Sequence, residues 1–256
     1  MENNNQSIQC RRLEHRLKER FVKAMAAYHL IEDDDKILVG LSGGKDSLLL
    51  TELLAKRAQI QHPRFTVEAI HVRMENIHYE TDTSYLQQFC DNLGVPLHVK
   101  TTNFVISSEV ETTSRDRRRQ KQPCFLCSWN RRKQLFNLAQ ELGCNKIALG
   151  HHQDDIIHTA LMNLTFQSHF ATMPVKLKMR KMPLTIIRPL CLIPECDIKT
   201  YAEMQGYEKQ QKLCPYETNS HRTDMKQIYE RLEALNPEVR YNIWGALEAD
   251  NKLIEE

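Results

Sequence analysis

At 256 residues the chain has room for one large domain, or a domain with an appendage, and for a real core. Hydrophobic residues make up 41% and charged residues 27%, so it reads as globular. A net charge of +2 (35 basic against 33 acidic side chains) is too small to show nucleic-acid binding by itself, and the distribution of charge must decide that.

The opening MENNNQSIQC is polar, with no apolar core of a secretory signal. No run approaches the roughly 18 apolar residues of a membrane span. The expectation is a cytoplasmic protein with no membrane partner. Its eight cysteines then fit metal-binding or catalytic roles in a reducing compartment better than disulfides.

In chain order, residues 11–30 place Leu13, Leu17, Phe21 and Met25 at helical spacing. Arg11, Arg12, Arg16, Lys18, Arg20 and Lys23 decorate that helix, as a solvated face or as an RNA contact. KILVGL (36–41) reads as a strand, SLLLTELLAKR (47–57) as a helix and FTVEAIHV (65–72) as a strand. DTSYLQQFCDNLG (82–94) is a helix stopped by Gly94, and VPLHVKT (95–101) alternates like a strand. SWNRRKQLFNLAQELG (128–143) is helical, KIALG (146–150) a strand, DDIIHTALMNLTF (154–166) a helix and PLTIIRPL (183–190) a strand. From about 194 onward the pattern is helical. Strands alternating with helices predict an α/β fold, a mostly parallel sheet flanked by helices, with a helical C-terminal extension.

LVGLSGGKDSLLL (38–50) holds three of the eight glycines, at a strand-to-helix turn. Gly43 and Gly44 permit close backbone approach, the next helix offers free N–H groups, Lys45 adds charge, and Ser42 and Ser47 add hydroxyls. That chemistry is a phosphate cradle; a tight turn with a serine cap is the structural alternative. The Walker pattern fails, because Val39 and Asp46 stand where it needs glycine and Ser or Thr. The dinucleotide pattern fails on the spacing of Gly40, Gly43 and Gly44.

A second cluster is RDRRRQKQPCFLCSWNRRK (115–133). Cys124 and Cys127 form C-x-x-C, which fits a redox pair, half a zinc site or part of an iron–sulfur site. No second cysteine pair or paired histidine follows within about 20 residues, as a structural zinc site would require. Cys214, in KLCPYETNSHR, is the other cysteine beside a turn. Cys90 and Cys144 read as small buried hydrophobes, Cys191 and Cys196 flank a proline turn, and Cys10 lies near the terminus. The flanking Arg115, Arg117, Arg118, Arg119, Lys121, Arg131, Arg132 and Lys133 suit phosphate-backbone contacts. Trp129 suits base stacking or helix packing, and Lys176, Lys178, Arg180 and Lys181 form a further basic run.

GHHQDD (150–155) closes a strand and opens a helix on the same sheet edge as the glycine loop. Asp154 and Asp155 suit a helix N-terminus or Mg²⁺. Capping does not explain His151 and His152.

SGGKDS (42–47) resembles the loop of the ATP pyrophosphatase, or PP-loop, family. The resemblance implies cleavage of ATP between its α- and β-phosphates and transfer of an adenylate. Gly43, Gly44, Lys45 and Ser47 would hold the pyrophosphate and Asp46 would place Mg²⁺. Together with PCFLCSWNRRK, IALGHHQDDIIHTALMN, IIRPL and a late cysteine, the series resembles the TtcA family over residues 15–235. That resemblance implies an adenine nucleotide alpha hydrolase-like fold and an enzyme that makes 2-thiocytidine at position 32 of tRNA. It implies a [4Fe–4S] cluster on Cys124, Cys127 and Cys214 with one iron free of protein ligand. Ser42, His151 and His152 would join the nucleotide site, and Asp154 or Asp155 would hold metal or orient the base. The partners implied are tRNA and a sulfur donor, sulfide or a cysteine desulfurase; a homodimer is allowed. The chain departs from the family at Gln211, where a first cysteine is common, and in PYETNSHR. The division implied is a basic helix (1–30), a PP-loop domain with a C-x-x-C insertion (31–193) and a helical extension carrying the third cysteine (194–256).

Other readings stay open at this point. One is a PP-loop reaction on another tRNA base or acceptor. Another is sulfur carried as a Cys124 or Cys127 persulfide without iron. A third is a non-catalytic ATP-binding redox sensor.

Overall fold

The computed structural model describes residues 2–75, 77–79, 81–103, 123–213 and 221–256. Its central sheet is built from β1 (Lys36–Gly40), β2 (Thr66–Met74), β4 (Leu97–Thr102), β5 (Lys146–Ala148), β6 (Lys176–Lys178), β7 (Thr185–Ile187) and β9 (Ile254–Glu255). The strand order is β4-β2-β1-β5-β7-β6-β9; β4 through β7 are mutually parallel, and β6 runs antiparallel to β7. A separate ribbon pairs β3 (His78–Tyr79) with β8 (Lys212–Leu213), placing His78 opposite Leu213. The helices are α1 (Glu2–Ala27), α2 (Lys45–Ala58), α3 (Ser84–Leu93), α4 (Pro123–Glu141), α5 (Gln153–Gln167), α6 (Glu195–Gln205), α7 (His221–Leu235) and α8 (Val239–Ala249).

Alternation along the strands sends residues to two cores. Ile37, Val39, Val67 and Ala69 face a large cluster with α1, α2 and α6, whereas Leu38, Ile70, Val72 and Ile147 face a smaller one under α4. Central strands buried on both faces explain why KILVG reads as an unbroken apolar run. The apolar face expected of the first helix is real: Leu13, Leu17, Phe21 and Met25 are all buried. Part of its basic face binds the protein itself, since Arg16 and Arg20 reach Asp197 on α6 at 2.7 and 3.1 Å. Lys176 and Lys178 belong to strand β6, so that basic run is not simply a solvated loop. Cys90, Cys144 and Cys191 are buried. Burial pushes the Cys90 and Cys144 thiols up to about 12 and about 11, as expected of structural cysteines. Among the described residues no helix is long and apolar enough to cross a membrane.

Candidate functional site: a phosphate loop at the switch point of the sheet

The chain runs outward from β1 through β2 to β4, then returns to β5 on the other side of β1. The carboxyl ends of β1 and β5 therefore flank the point where strand order reverses, the place where open α/β sheets bind ligands. The loop after β1 is SGGKDS, and the turn after β5 is GHHQDD. Gly150 makes their contact possible: a Cβ there would lie 3.1 Å from the backbone C of Asp46 and N of Ser47.

The glycine loop folds on itself. Ser42 N donates to Ser47 Oγ at 3.2 Å, the two serine hydroxyls are 3.1 Å apart, and Ser47 Oγ donates to Gly44 O at 2.9 Å. Gly43 has φ +82°, a conformation that glycine adopts without a Cβ penalty. Gly44 caps α2 with no side-chain hydrogen bond, so the first-turn N–H groups are left for an anion. Lys45 Nζ reaches Asp46 Oδ2 at 3.2 Å and Glu195 Oε1 at 3.0 Å. Burial pulls the Lys45 pKa down, but Asp46 and Glu195 outweigh it and raise it, keeping the ammonium charged.

Across the crevice, His152 sits amid three carboxylates. Its Nε2 is 3.9 Å from Asp46 Oδ1 and 3.5 Å from Asp155 Oδ2, and its Nδ1 is 3.6 Å from Asp154 Oδ2. Burial would lower its pKa, yet Asp154, Asp155 and Asp46 together raise it. The two aspartates diverge. Asp154 is buried, accepts from Arg240 Nη2 at 2.8 Å and from the Glu195 backbone N at 2.7 Å. Although burial opposes it, those donors and His152 hold its carboxyl far below the usual range. Asp155 instead caps α5, accepting from His152 N at 3.2 Å, and keeps a side chain open to the crevice. His151 Nδ1 accepts from Arg188 Nε at 3.2 Å, and burial lowers the Arg188 pKa to about 10.

Glu195, Lys226 and Arg240 are the charged residues here that carry no sequence motif. Glu195 bridges Lys45 and Lys226, the latter at 2.7 Å. Burial would raise the Glu195 pKa, but the two lysines hold it at about 2. Glu195 follows Pro194 in a helix first turn, a place where an acid is ordinary, so nothing local marks it out. Lys226 and Arg240 lie on α7 and α8, joined to the site only by tertiary packing.

Two cavities flank the loop. One of 380 Å³ is lined by Leu41, Ser42, His71, Arg131 and Leu149 at the ends of β1, β2 and β5. His71 is buried, with Nδ1 2.8 Å from Leu41 O and Nε2 without a partner. The other, of 910 Å³, is lined by Lys45, Asp46, Asp154, Glu195 and Lys226.

Residues 11–219 match the PP-loop domain family ATP_bind_3. The tRNA-cytidine(32) 2-sulfurtransferase of Bordetella avium is 33% identical over 238 residues, which cover 92% of this chain and 73% of that protein. The protein of the same name from Bdellovibrio bacteriovorus is 32% identical over 231 residues, 89% of this chain and 85% of its own length. The chain belongs to the tRNA-cytidine(32) 2-sulfurtransferase family of PP-loop proteins. A solved structure, the U34-tRNA thiolase NcsA from Methanococcus maripaludis with its [4Fe-4S] cluster, is similar at TM-score 0.70 and 26% identity, over 93% of this chain and 78% of that one.

The residues fit the metal groups that this family implies. For Mg²⁺, Asp46 Oδ1 is buried with the Lys45 ammonium 3.1 Å away, and Asp155 Oδ2 approaches the same ring nitrogen, His152 Nε2, that Asp46 Oδ1 does. Two carboxylates with phosphate oxygens and water are a usual Mg²⁺ shell. No group of three metal-binding side chains stands preassembled among the described residues. For an iron–sulfur cluster, Cys127 near the start of α4 packs with Leu126 and Tyr79 against Met74 and Ile77. Cys124 is the second residue of α4, its side chain outside the described residues, as is all of Cys214. Leu213 nonetheless pairs with His78 of β3, between Ile77 and Tyr79. The chain next to Cys214 thus pairs beside Ile77, against which Cys127 packs, and thiolates are the donors such clusters take.

Proposed function

We propose that this chain is an ATP-dependent tRNA thiolase that replaces the C2 oxygen of a cytidine, at position 32, with sulfur. The observation that carries this reading is the meeting of SGGKDS and GHHQDD at the switch point, through Gly150, in a member of this family. The C2 oxygen attacks the α-phosphorus of ATP, the bond to the β-phosphate's bridging oxygen breaks, and pyrophosphate leaves. Sulfide then adds at C2 and the C2–O bond breaks, so AMP departs with the original oxygen.

Gly43, Gly44, Lys45, Ser42 and Ser47 receive the pyrophosphate, stabilising the charge that collects on the leaving oxygens. Asp46 and Asp155 hold Mg²⁺, which when bound neutralises part of the phosphate charge. His151 and His152 fix the turn that presents Asp155, and Asp154 positions that turn through Arg240. The 380 Å³ cavity takes the nucleoside end of ATP. Cys124, Cys127 and Cys214 would be the three thiolates that hold a [4Fe–4S] cluster, which when bound would supply an iron free of protein ligand for sulfur transfer. The sulfur source is sulfide, free or delivered by a cysteine desulfurase, in the cytoplasm. Trp129, half exposed beneath Lys133 on α4, faces outward as a stacking surface for RNA.

The test is anaerobic reconstitution with iron and sulfide, then incubation with ATP, Mg²⁺, sulfide and unmodified tRNA. Mass analysis of the nucleosides is expected to show 2-thiocytidine that needs iron and disappears in Cys214→Ala. AMP formation without sulfur in the tRNA would show the acceptor to be wrong. Thiolation that persists without iron would favour a persulfide on Cys124 or Cys127.

A further inference from the structure

The segment from Tyr207 to Gln211 crosses the phosphate loop as a strap, and it is pinned on both sides. Tyr207 OH donates to Glu52 on α2, and its ring packs edge-on against Phe89 at 5.7 Å and Tyr201 at 6.1 Å. Gln210 N donates to Gly43 O at 2.9 Å, and its side-chain Nε2 donates to Thr81 O at 2.8 Å. Gln211 N donates to Thr81 Oγ1 at 2.9 Å. The contact with the loop is tight, since a Cβ on Gly43 would fall 2.5 Å from Gln210 Cβ. Only residues 208 and 209 lie between the anchors.

Lys209 is therefore held above the loop. Lys209 and Gly44 are the two residues that line both the 910 Å³ and the 380 Å³ cavities. Of the other cations lining the larger cavity, three are already engaged, while Lys199 on α6 has no hydrogen bond or ion pair among the described residues. Lys45 has Asp46 and Glu195, Lys226 has Glu195, and Arg240 has Asp154 and Glu233. Lys209 has no hydrogen bond or ion pair among the described residues. Lys45 reaches two carboxylates before any phosphate arrives, so the loop's own charge is offset. A free ammonium on a flexible stem, poised where the two cavities meet, supplies the missing positive charge.

We infer that Lys209 is a second cation for the β- and γ-phosphates of the nucleotide, presented over the glycine loop by the 207–211 strap. The inference rests on the reading of the chain as an ATP user. It gives the strap a role in binding the leaving group as well as in leading the chain to β8.

The full-length chain, with Lys209→Met and Lys209→Arg, would be titrated calorimetrically with Mg²⁺–ATP, Mg²⁺–pyrophosphate and AMP, in the absence of tRNA. Binding of tRNA would be measured by filter retention at the same salt. Lys209→Met is expected to weaken ATP and pyrophosphate about tenfold while AMP and tRNA change by less than about twofold. Lys209→Arg is expected to stay within about threefold of the wild type, since it keeps the charge. Unchanged ATP affinity in Lys209→Met overturns the inference, and so does an equal loss for ATP and AMP. Loss of tRNA binding alone overturns it too, and assigns the lysine to the RNA backbone. A wild-type chain that binds neither ATP nor pyrophosphate removes the ATP reading itself, and the inference with it.

Discussion

Arg240 Nη2 lies 2.8 Å from Asp154 Oδ1, so the last helix of the chain is tied directly to the turn that follows β5. Both side chains are largely buried, and Glu233 completes the arginine's contacts at 2.9 Å. Arg240→Ala removes the guanidinium from a buried carboxylate and leaves it only His152 and the Glu195 N–H, a class of change that costs about 3 kcal/mol. A lowered urea midpoint with unchanged slope is the expected result. Adding Asp154→Asn should restore part of that stability, because it removes the stranded charge, without restoring thiolation. If Arg240→Ala unfolds at the wild-type midpoint, the pair is not what holds the turn.

The environments of Asp154 and Asp155 separate two roles that their adjacency in sequence leaves merged. Asp154 has its hydrogen bonds from Arg240 and the Glu195 backbone, whereas Asp155 Oδ2 shares His152 Nε2 as a neighbour with Asp46 Oδ1. Asp155→Asn is expected to raise the Mg²⁺ concentration needed for half-maximal AMP formation about tenfold or more, with little loss of stability. Asp154→Asn should do the reverse. Lys45→Met is expected to reduce pyrophosphate release by about 10²–10³ at saturating Mg²⁺. Titrating Mg²⁺ in a pyrophosphate-release assay with tRNA present checks all three.

Gly150 joins the two motifs at backbone level, and its requirement is steric. Its Cβ would meet Asp46 C at 3.1 Å and Asp46 O at 3.2 Å, atoms that cannot swing aside as a side-chain tip can. Gly150→Ala should therefore fold but shift the phosphate loop by a few tenths of an ångström. Misplacement of reacting groups on that scale is costly, and kcat/KM for ATP is expected to fall by about 10- to 100-fold. Unchanged kinetics would mean that the turn and the loop yield more easily than their packing implies.

The parts legible in the sequence are those with a local cause. The parallel strands announce themselves as apolar runs because both faces are buried, and SGGKDS and GHHQDD need their residue types within six positions. The short strands β3, β8 and β9 span two residues each, too few to carry a period of two. Glu195, Lys226 and Arg240 escape for another reason. Their spacing along the chain bears no relation to the 3 Å distances that gather them, which are set by packing of α7 and α8 on α5 and of α6 on α1 and α2. Arg16 and Arg20 show the converse, since a basic helix face that suited RNA turns partly inward to Asp197.

His152 gives the site a pH dependence whose sign follows from its neighbours. Burial disfavours the imidazolium, but Asp154, Asp155 and Asp46 more than offset that, and the pKa rises above 6.5. A group whose folded-state pKa is raised stabilises the fold fully below its unfolded value, and that contribution is lost as pH climbs through the folded one. His71 and His158 act in the opposite direction. Burial lowers their pKa values, so their contribution is present above 6.5 and fades as pH falls. The whole protein's curve mixes these effects, and a difference between variants isolates one. The gap in urea midpoint between wild type and His152→Gln should be largest near pH 6 and narrow steadily toward pH 9. A gap that widens with pH would show that His152 is held neutral, and that the three carboxylates do not act on it together.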